Sequence, residues 1–299
     1  MKHKVTVVGG ANIDISAQTL LPFKPYDSNP SHIDISFGGV GRNIAHNLTL
    51  LGCDVHFITA FATDPFGQTL HNDCLTLGMH TDASLLVDNA RSNYFLCINN
   101  PQGEMQAGAA DMALLNNLTP QHLLNTMSDI NNSAAVVADC NLNEDCLQAL
   151  AHHCTAPLYI DATSAAKAGK LKSLFPWQHE TSLAVKVNLI EAKELSGMEE
   201  DVEQMALWFI RQGVHHIYIT MGSAGIACHD GTKFSILPAQ KATVVNATGA
   251  GDAFMSGVVY AELNGLAIEA AALIGIEMAT LTLQCNQPVN KQIKSLKTL

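Results

Sequence analysis

From Thr119 onward the chain repeats one rhythm: a short apolar run, a polar residue, then a segment of helical periodicity. Residues 134–138 run into Asp139, 158–160 into Asp161, 183–187 into Asn188, and 216–220 into Met221-Gly222-Ser223. Upstream, Val5-Thr6-Val7-Val8 reaches Gly9-Gly10, and an apolar run over 55–60 leads to Asp64-Pro65-Phe66-Gly67. Strands separated by helices pair in parallel through right-handed crossovers, which predicts an α/β fold around a mostly parallel sheet. Ligands of such sheets bind outside the carboxyl ends of the strands. Asp14, Asp139, Asp161, Asn188 and Gly222 are therefore expected along one edge, and that density of polar groups points to a site. With 299 residues, 47% of them hydrophobic, the chain can bury one large core, so one domain over 1–299 with a small appendage is expected.

The appendage comes from two segments that break the rhythm. Residues 17–37 contain three prolines, and His32-Ile33-Asp34-Ile35-Ser36-Phe37 alternates as a half-exposed strand does. Tyr94-Phe95-Leu96-Cys97-Ile98, the turn Asn99-Asn100-Pro101-Gln102-Gly103 and Glu104-Met105-Gln106 read as a hairpin. Segments at about 16–37 and 91–110 are thus expected to form a small sheet outside the main domain, a candidate lid. The apolar arm 94–98 permits a homodimer through that sheet. A late hairpin is expected from 226–229 and 234–237 around Asp230-Gly231.

Two glycine-rich turns enter helices. Gly38-Gly39-Val40-Gly41-Arg42-Asn43 precedes a helix with Ile44, Ala45, Leu48 and Leu51 on one face. No G-K-[ST] follows it, which excludes a P-loop NTPase. Asn43 reaches a ligand from the first turn of that helix, whereas Arg42 reads equally as a surface residue. Val244-Val245-Asn246-Ala247-Thr248-Gly249-Ala250-Gly251-Asp252 leads from an extended pair of valines into a helix over 253–263. Glycines at such a turn leave orphan N–H groups that favour a phosphate. Asp252 among those donors is expected to be ionised at neutral pH, a base inside an anion cradle. It reads equally as an acid favouring a helix N-terminus. Asn12 and Asp14 point the same way in an extended segment and suit two adjacent sugar hydroxyls; an Asx turn is the alternative.

Charge and cysteine usage narrow the partners. The net charge of −11, with no Lys/Arg run, makes nucleic acid and anionic membrane poor partners. Eight scattered cysteines without C-x-x-C read as reduced thiols. Cys140, Cys146, His152, His153 and Cys154 match no zinc spacing. No signal or membrane-spanning pattern is read, so a cytoplasmic location is expected.

Together these motifs resemble the ribokinase/PfkB carbohydrate kinase family across nearly the whole chain. Gly249-Ala250-Gly251-Asp252 is similar to the family's C-terminal signature, the 38–43 turn to its N-terminal one, and Asn188-Leu189-Ile190-Glu191 to its N-x-x-E motif. The resemblance implies a ribokinase-like three-layer αβα sandwich with a β-sheet lid. It also implies transfer of phosphate from ATP to a hydroxyl. Asp252 is then the base, and the amides of Gly249, Ala250 and Gly251 the anion hole. Asn188 and Glu191 hold Mg²⁺ through waters. Thr220, Gly222, Ser223, Gly225, Asn246 and Asn286 serve the nucleotide, and Asn12, Asp14, Gly39 and Asn43 the sugar. Within the family the likeness is narrower, to the subgroup acting on the C-nucleoside pseudouridine. That likeness assigns Ser28, Asn29, Asp139 and Asn141 to the base and brings Lys167 toward a phosphate. Val40, where ribokinases carry a lysine, argues for a neutral nucleoside over ribose. Asn246 replaces an aspartate of the family's K⁺ site, which puts a monovalent cation in doubt.

Overall fold

A computed structural model describes residues 2–296. Its strands are β1 (Lys4–Val8), β2 (Asn12–Thr19), β3 (Ser31–Gly38), β4 (Asp54–Ile58), β5 (Ala60–Ala62), β6 (Leu85–Val87), β7 (Tyr94–Asn99), β8 (Met105–Asp111), β9 (Ala135–Asp139), β10 (Leu158–Asp161), β11 (Leu183–Asn188), β12 (His216–Thr220), β13 (Ile226–His229) and β14 (Phe234–Leu237). Its helices are α1 (Val40–Leu50), α2 (Pro65–Thr76), α3 (Pro120–Asn131), α4 (Glu144–His153), α5 (Ala165–Ala168), α6 (Leu189–Ser196), α7 (Val202–Arg211), α8 (Ala250–Leu263) and α9 (Ile268–Leu283).

An eight-stranded sheet of order β14-β13-β12-β11-β10-β9-β1-β4 forms the middle layer. Strands β12 to β4 pair in parallel, and the expected late hairpin adds β13 and β14 antiparallel at one edge. Alternate residues of each strand feed two cores. Val8, Val136, Ala138, Ile160 and Val185 pack with α3, α4, α6 and α7, while Val5, Val7, Val137, Tyr159 and Tyr218 pack with α1, α2, α8 and α9. Burial on both faces is why these strands read as continuous apolar runs. Thr119 caps α3 as its Thr-Pro sequence predicts, accepting from His122 N–H. All eight cysteines are free; the Cys146 and Cys154 thiols donate to the carbonyls of Leu118 and Ala156.

A four-stranded sheet, β3-β2-β7-β8, stands apart from the large one. It begins at Asn12, earlier than the expected segment, because the chain leaves β1 and enters β2 after three residues. Asn12 and Asp14 thus belong to this small sheet and not to the tip of a main-sheet strand. The valine pair before the second glycine turn also departs from expectation. Val244 and Val245 are exposed and lie in no strand, with Val245 N–H donating to the Leu283 carbonyl. The turn there is loop-to-helix, and α8 starts at Ala250 instead of 253 because Gly249 adopts a left-handed conformation (φ 82°) that opens the helix directly.

Candidate active site

Helices α1 and α8 meet where the two glycine turns enter them. Gly39, at φ 99°, caps α1; a Cβ there would stand 2.4 Å from the Gly10 carbonyl oxygen, so glycine alone lets the turn pack on the β1–β2 connection. Asn43, in the first turn of α1, donates from Nδ2 to Asp252 Oδ2 on α8 at 2.8 Å. Arg42 sets that orientation. Its Nη1 donates to the Phe37 carbonyl at 2.9 Å and lies 3.4 Å from Asn43 Oδ1, and its Nη2 meets Asp73 at 2.7 Å. The surface reading of Arg42 is therefore wrong: it is 5% exposed. Burial raises the Asp252 pKa to about 7, with Asp161 adding to the rise and the Asn43 bond and Lys186 opposing it. The expected fully ionised carboxylate is corrected accordingly, because desolvation outweighs the local donors.

On β2, Asn12 Nδ2 donates to Asp14 Oδ1 at 2.5 Å. The two are held as a pair on β2, and Gly38 makes room for the carboxylate; a Cβ at Gly38 would meet Asp14 Oδ2 at 2.0 Å. Burial raises the Asp14 pKa to about 6, against the Asn12 bond and the charge of Arg42.

Lys186 was not anticipated. It lies on β11, is 7% exposed, and pairs with Asp161 of β10 at 3.0 Å. Its Nζ stands 2.8 Å from where a Cβ on Gly251 would be, which places a cation beside the first-turn amides of α8. Burial works against its charge, but Asp161, Glu191 and Asp252 outweigh it and raise its pKa. Two residues on, Asn188 and Glu191 form a capping box on α6. Asn188 N–H and Nδ2 donate to the two Glu191 oxygens at 2.7 and 2.8 Å, and Glu191 N–H donates to Asn188 Oδ1 at 2.9 Å. The Glu191 pKa is raised by burial, with Lys186 opposing.

Beyond the α8 N-terminus, a cavity of about 260 Å³ is lined by apolar side chains including Ile226, Phe254, Ile276 and Leu283, with Thr220, Gln240 and Thr280 as polar groups. Gly222 and Gly225 line it as well. An apolar slot opening onto a helix N-terminus fits a purine with its phosphates on the amides.

A pfkB family carbohydrate kinase model matches residues 2–294. The chain belongs to the pfkB family of carbohydrate kinases. It is 32% identical to the pseudouridine kinase of Escherichia coli (strain K12), over 98% of this chain and 94% of that one. It is 25% identical to the guanosine-inosine kinase of Exiguobacterium acetylicum, over 93% of each. Its fold superposes on the ribokinase of Thermotoga maritima with a TM-score of 0.83, at 18% identity and 99% coverage of both chains. As a pfkB-family member it is a phosphotransferase acting on an alcohol group, and the family implies ATP as donor.

The other residues expected in this pfkB site fall in distinct places. Asp139 is buried, with its oxygens accepting from Gly10 N–H (2.9 Å) and Asn141 N–H (2.8 Å). Lys167 donates to Asn141 Oδ1 at 2.5 Å, near the β9 and β10 ends and not in the apolar cavity. Asn246 ties two loops, donating to the Asn286 carbonyl at 3.1 Å and accepting from Thr248 N–H at 2.9 Å; with Asn286 and Ser223, it is outside the cavity lining. Ser28 and Asn29 line a separate hollow of about 600 Å³ with Ala17, Ile33 and Ile98. Strand alternation sets Ala17 on the opposite face of β2 from Asp14, so this chain does not bring Ser28 and Asn29 to the Asn12–Asp14 pair. Lys186 carried one legible signal, a lone lysine in an otherwise apolar strand, two residues before Asn188 and hence on its side.

Proposed function

We propose that the protein is a cytoplasmic pseudouridine kinase, transferring the γ-phosphate of ATP to the 5′-hydroxyl of pseudouridine. The observation that carries the reaction type is the Asn43–Asp252 bond, which joins the sugar-side turn to the N-terminus of α8. The choice of nucleoside is supported by the identity to the Escherichia coli enzyme and by Val40, which stands where ribokinases carry a lysine.

In this reading Asn12 and Asp14 hold adjacent ribose hydroxyls, and the small sheet closes over them as a lid. Asp252 takes the proton of the attacking hydroxyl while Asn43 orients its carboxylate. A base with a pKa near 7 matches the working pH, so little driving force is lost in the transfer. The amides of Gly249, Ala250 and Gly251, with Lys186, stabilise the equatorial oxygens of the moving phosphoryl group. Adenine occupies the apolar cavity beside Thr220, Gly222 and Gly225.

The donor set on α6 fits magnesium held through waters: its hard oxygens are already bonded within the capping box, and magnesium gives up water reluctantly. Asn188 and Glu191 would hold that ion, which would offset the phosphate charge. Asn246, standing where the family's K⁺ site has an aspartate, weighs against a monovalent cation in this reading, and its side chain ties two loops.

The guanosine-inosine kinase similarity supports one rival substrate class, purine ribonucleosides. ATP turnover measured over pseudouridine, uridine, inosine, guanosine, adenosine and ribose, with products weighed by mass spectrometry, separates them. Preference for pseudouridine, with a mass gain of one phosphate, is expected. Phosphorylation of ribose or a purine nucleoside alone would reject the substrate, and no turnover with any acceptor would reject the kinase reading.

A further inference from the structure

Three side chains converge at the outer edge of the large sheet, away from the strand C-termini. Asp54 and His56 sit two apart on β4, the edge strand, and so project from one face. His80, in the connection after α2, is docked on that strand by its backbone: its N–H donates to the Val55 carbonyl at 2.9 Å, and its carbonyl accepts from Phe57 N–H at 2.7 Å. This parallel bridge sets His80 beside His56, and their rings stack with centroids 4.7 Å apart. Both rings turn Nε2 to the Asp54 carboxylate, His80 at 3.1 Å and His56 at 3.7 Å. The three ligand atoms lie within 4.8 Å of one another.

We propose that Asp54, His56 and His80 form a binding site for a divalent transition-metal ion of the zinc type. Around tetrahedral zinc, with bonds of about 2.0–2.1 Å, neighbouring ligand atoms stand about 3.3 Å apart. The two imidazole–carboxylate separations, one to each oxygen of Asp54, straddle that value. Two imidazoles and one carboxylate suit zinc, cobalt or nickel, whereas magnesium prefers an all-oxygen shell. Three protein ligands leave a fourth position for water. The backbone bridge already fixes the three residues relative to one another, so only side-chain rotation is needed to draw the imidazoles together. The His80 side chain, 52% exposed, has room for it. Lys4, the register partner of Asp54, is the neighbouring cation; its Nζ is engaged by the Asp129 carbonyl at 3.0 Å. A bound ion would pin the α2–β6 connection to the open edge of the sheet.

The test is titration of the full chain, stripped of metal by chelation, with Co²⁺ followed by visible absorption and with Zn²⁺ followed by calorimetry. About one equivalent is expected, with a four-coordinate cobalt spectrum that lacks a thiolate charge-transfer band and is insensitive to excess Mg²⁺. His56→Gln and His80→Gln remove direct ligands. Each should weaken binding by at least the roughly 10–100-fold that follows loss of an outer-shell partner. Zinc should raise the thermal midpoint of the wild type and not of either variant, while the metal-free midpoints and the Mg·ATP-dependent turnover stay equal. Absence of saturable binding would overturn the site. So would a thiolate band, or equal binding in both variants, which would place the ion elsewhere, such as the edge-to-face His152–His179 pair.

Discussion

Asp252 is expected to govern both rate and pH dependence. Its pKa of about 7 means that log(kcat/KM) should rise with unit slope at lower pH and level off above about 7, since only the ionised carboxylate accepts the proton. Asp252→Asn should lower kcat by roughly 10²–10⁴, with ATP affinity by calorimetry little changed. The stability effect has the opposite sign. The folded pKa lies above the unfolded value of 3.8, so the folded state binds the proton more tightly and Asp252 costs stability progressively from pH 3.8 to about 7. The variant's advantage in thermal midpoint should therefore be larger at pH 8 than at pH 5.

Lys186 separates two roles. Lys186→Met leaves Asp161 buried without its counter-ion and should cost about 3–5 kcal/mol in denaturant unfolding. The double variant Lys186→Met/Asp161→Asn should recover much of that stability. Its kcat should stay low by roughly 10²–10³, as for loss of an anion-hole donor. Recovery of kcat along with stability would make the lysine purely structural.

At the scale of elements, α8 bears Asp252 in its first turn and α9 packs along it. The two helices cross at Gly257 and Gly275, so closely that a Cβ on Gly257 would stand 2.8 Å from Gly275 Cα and 2.9 Å from Met278 Sδ. Gly257→Ala should lower stability by about 1–3 kcal/mol through forced repacking, read as a reduced denaturant midpoint with an unchanged m-value. Further along α8, Glu262 is half-buried against the sheet and accepts from the hydroxyls of Tyr159 at 2.7 Å and Tyr218 at 2.5 Å, with His216 Nδ1 at 2.9 Å. This cluster fastens the far end of the helix whose start bears Asp252. The existence of α8 is visible in sequence from the glycine turn and the run that follows it. Its partners are not, because Glu262 and the residues it gathers are 44 to 103 positions apart.

At the scale of the molecule, the large sheet is buried on both faces, whereas β8 of the small sheet is exposed along its whole length. Local opening should therefore be far easier in the small sheet. Amides of β7 and β8 are expected to exchange much faster than those of β1 and β9 in the free protein. They should slow on addition of nucleoside with a non-hydrolysable ATP analogue, measured by hydrogen exchange with mass detection. Unchanged exchange in β7 and β8 would argue against their acting as a lid.

The chain's own order was enough for the layered α/β plan, the late hairpin and the polar residues at the strand ends. Those follow from periods of two and 3.6 residues and from turn chemistry, which are local properties. It was also enough for the glycine turns, whose backbone conformations few other residues adopt. Tertiary structure decided what those residues do to one another. The charge state of Asp252 came from burial, not from the donors beside it in sequence. Arg42 moved from the surface to the interior because Asp73, 31 residues away, faces it. Lys186 comes to the first-turn amides of α8 because β11 runs beneath the start of that helix, and Ser28 and Asn29 line a hollow with Ala17 because β2 turns its alternate face to them. Each is a matter of dielectric surroundings and long-range neighbours, which no short window of sequence contains.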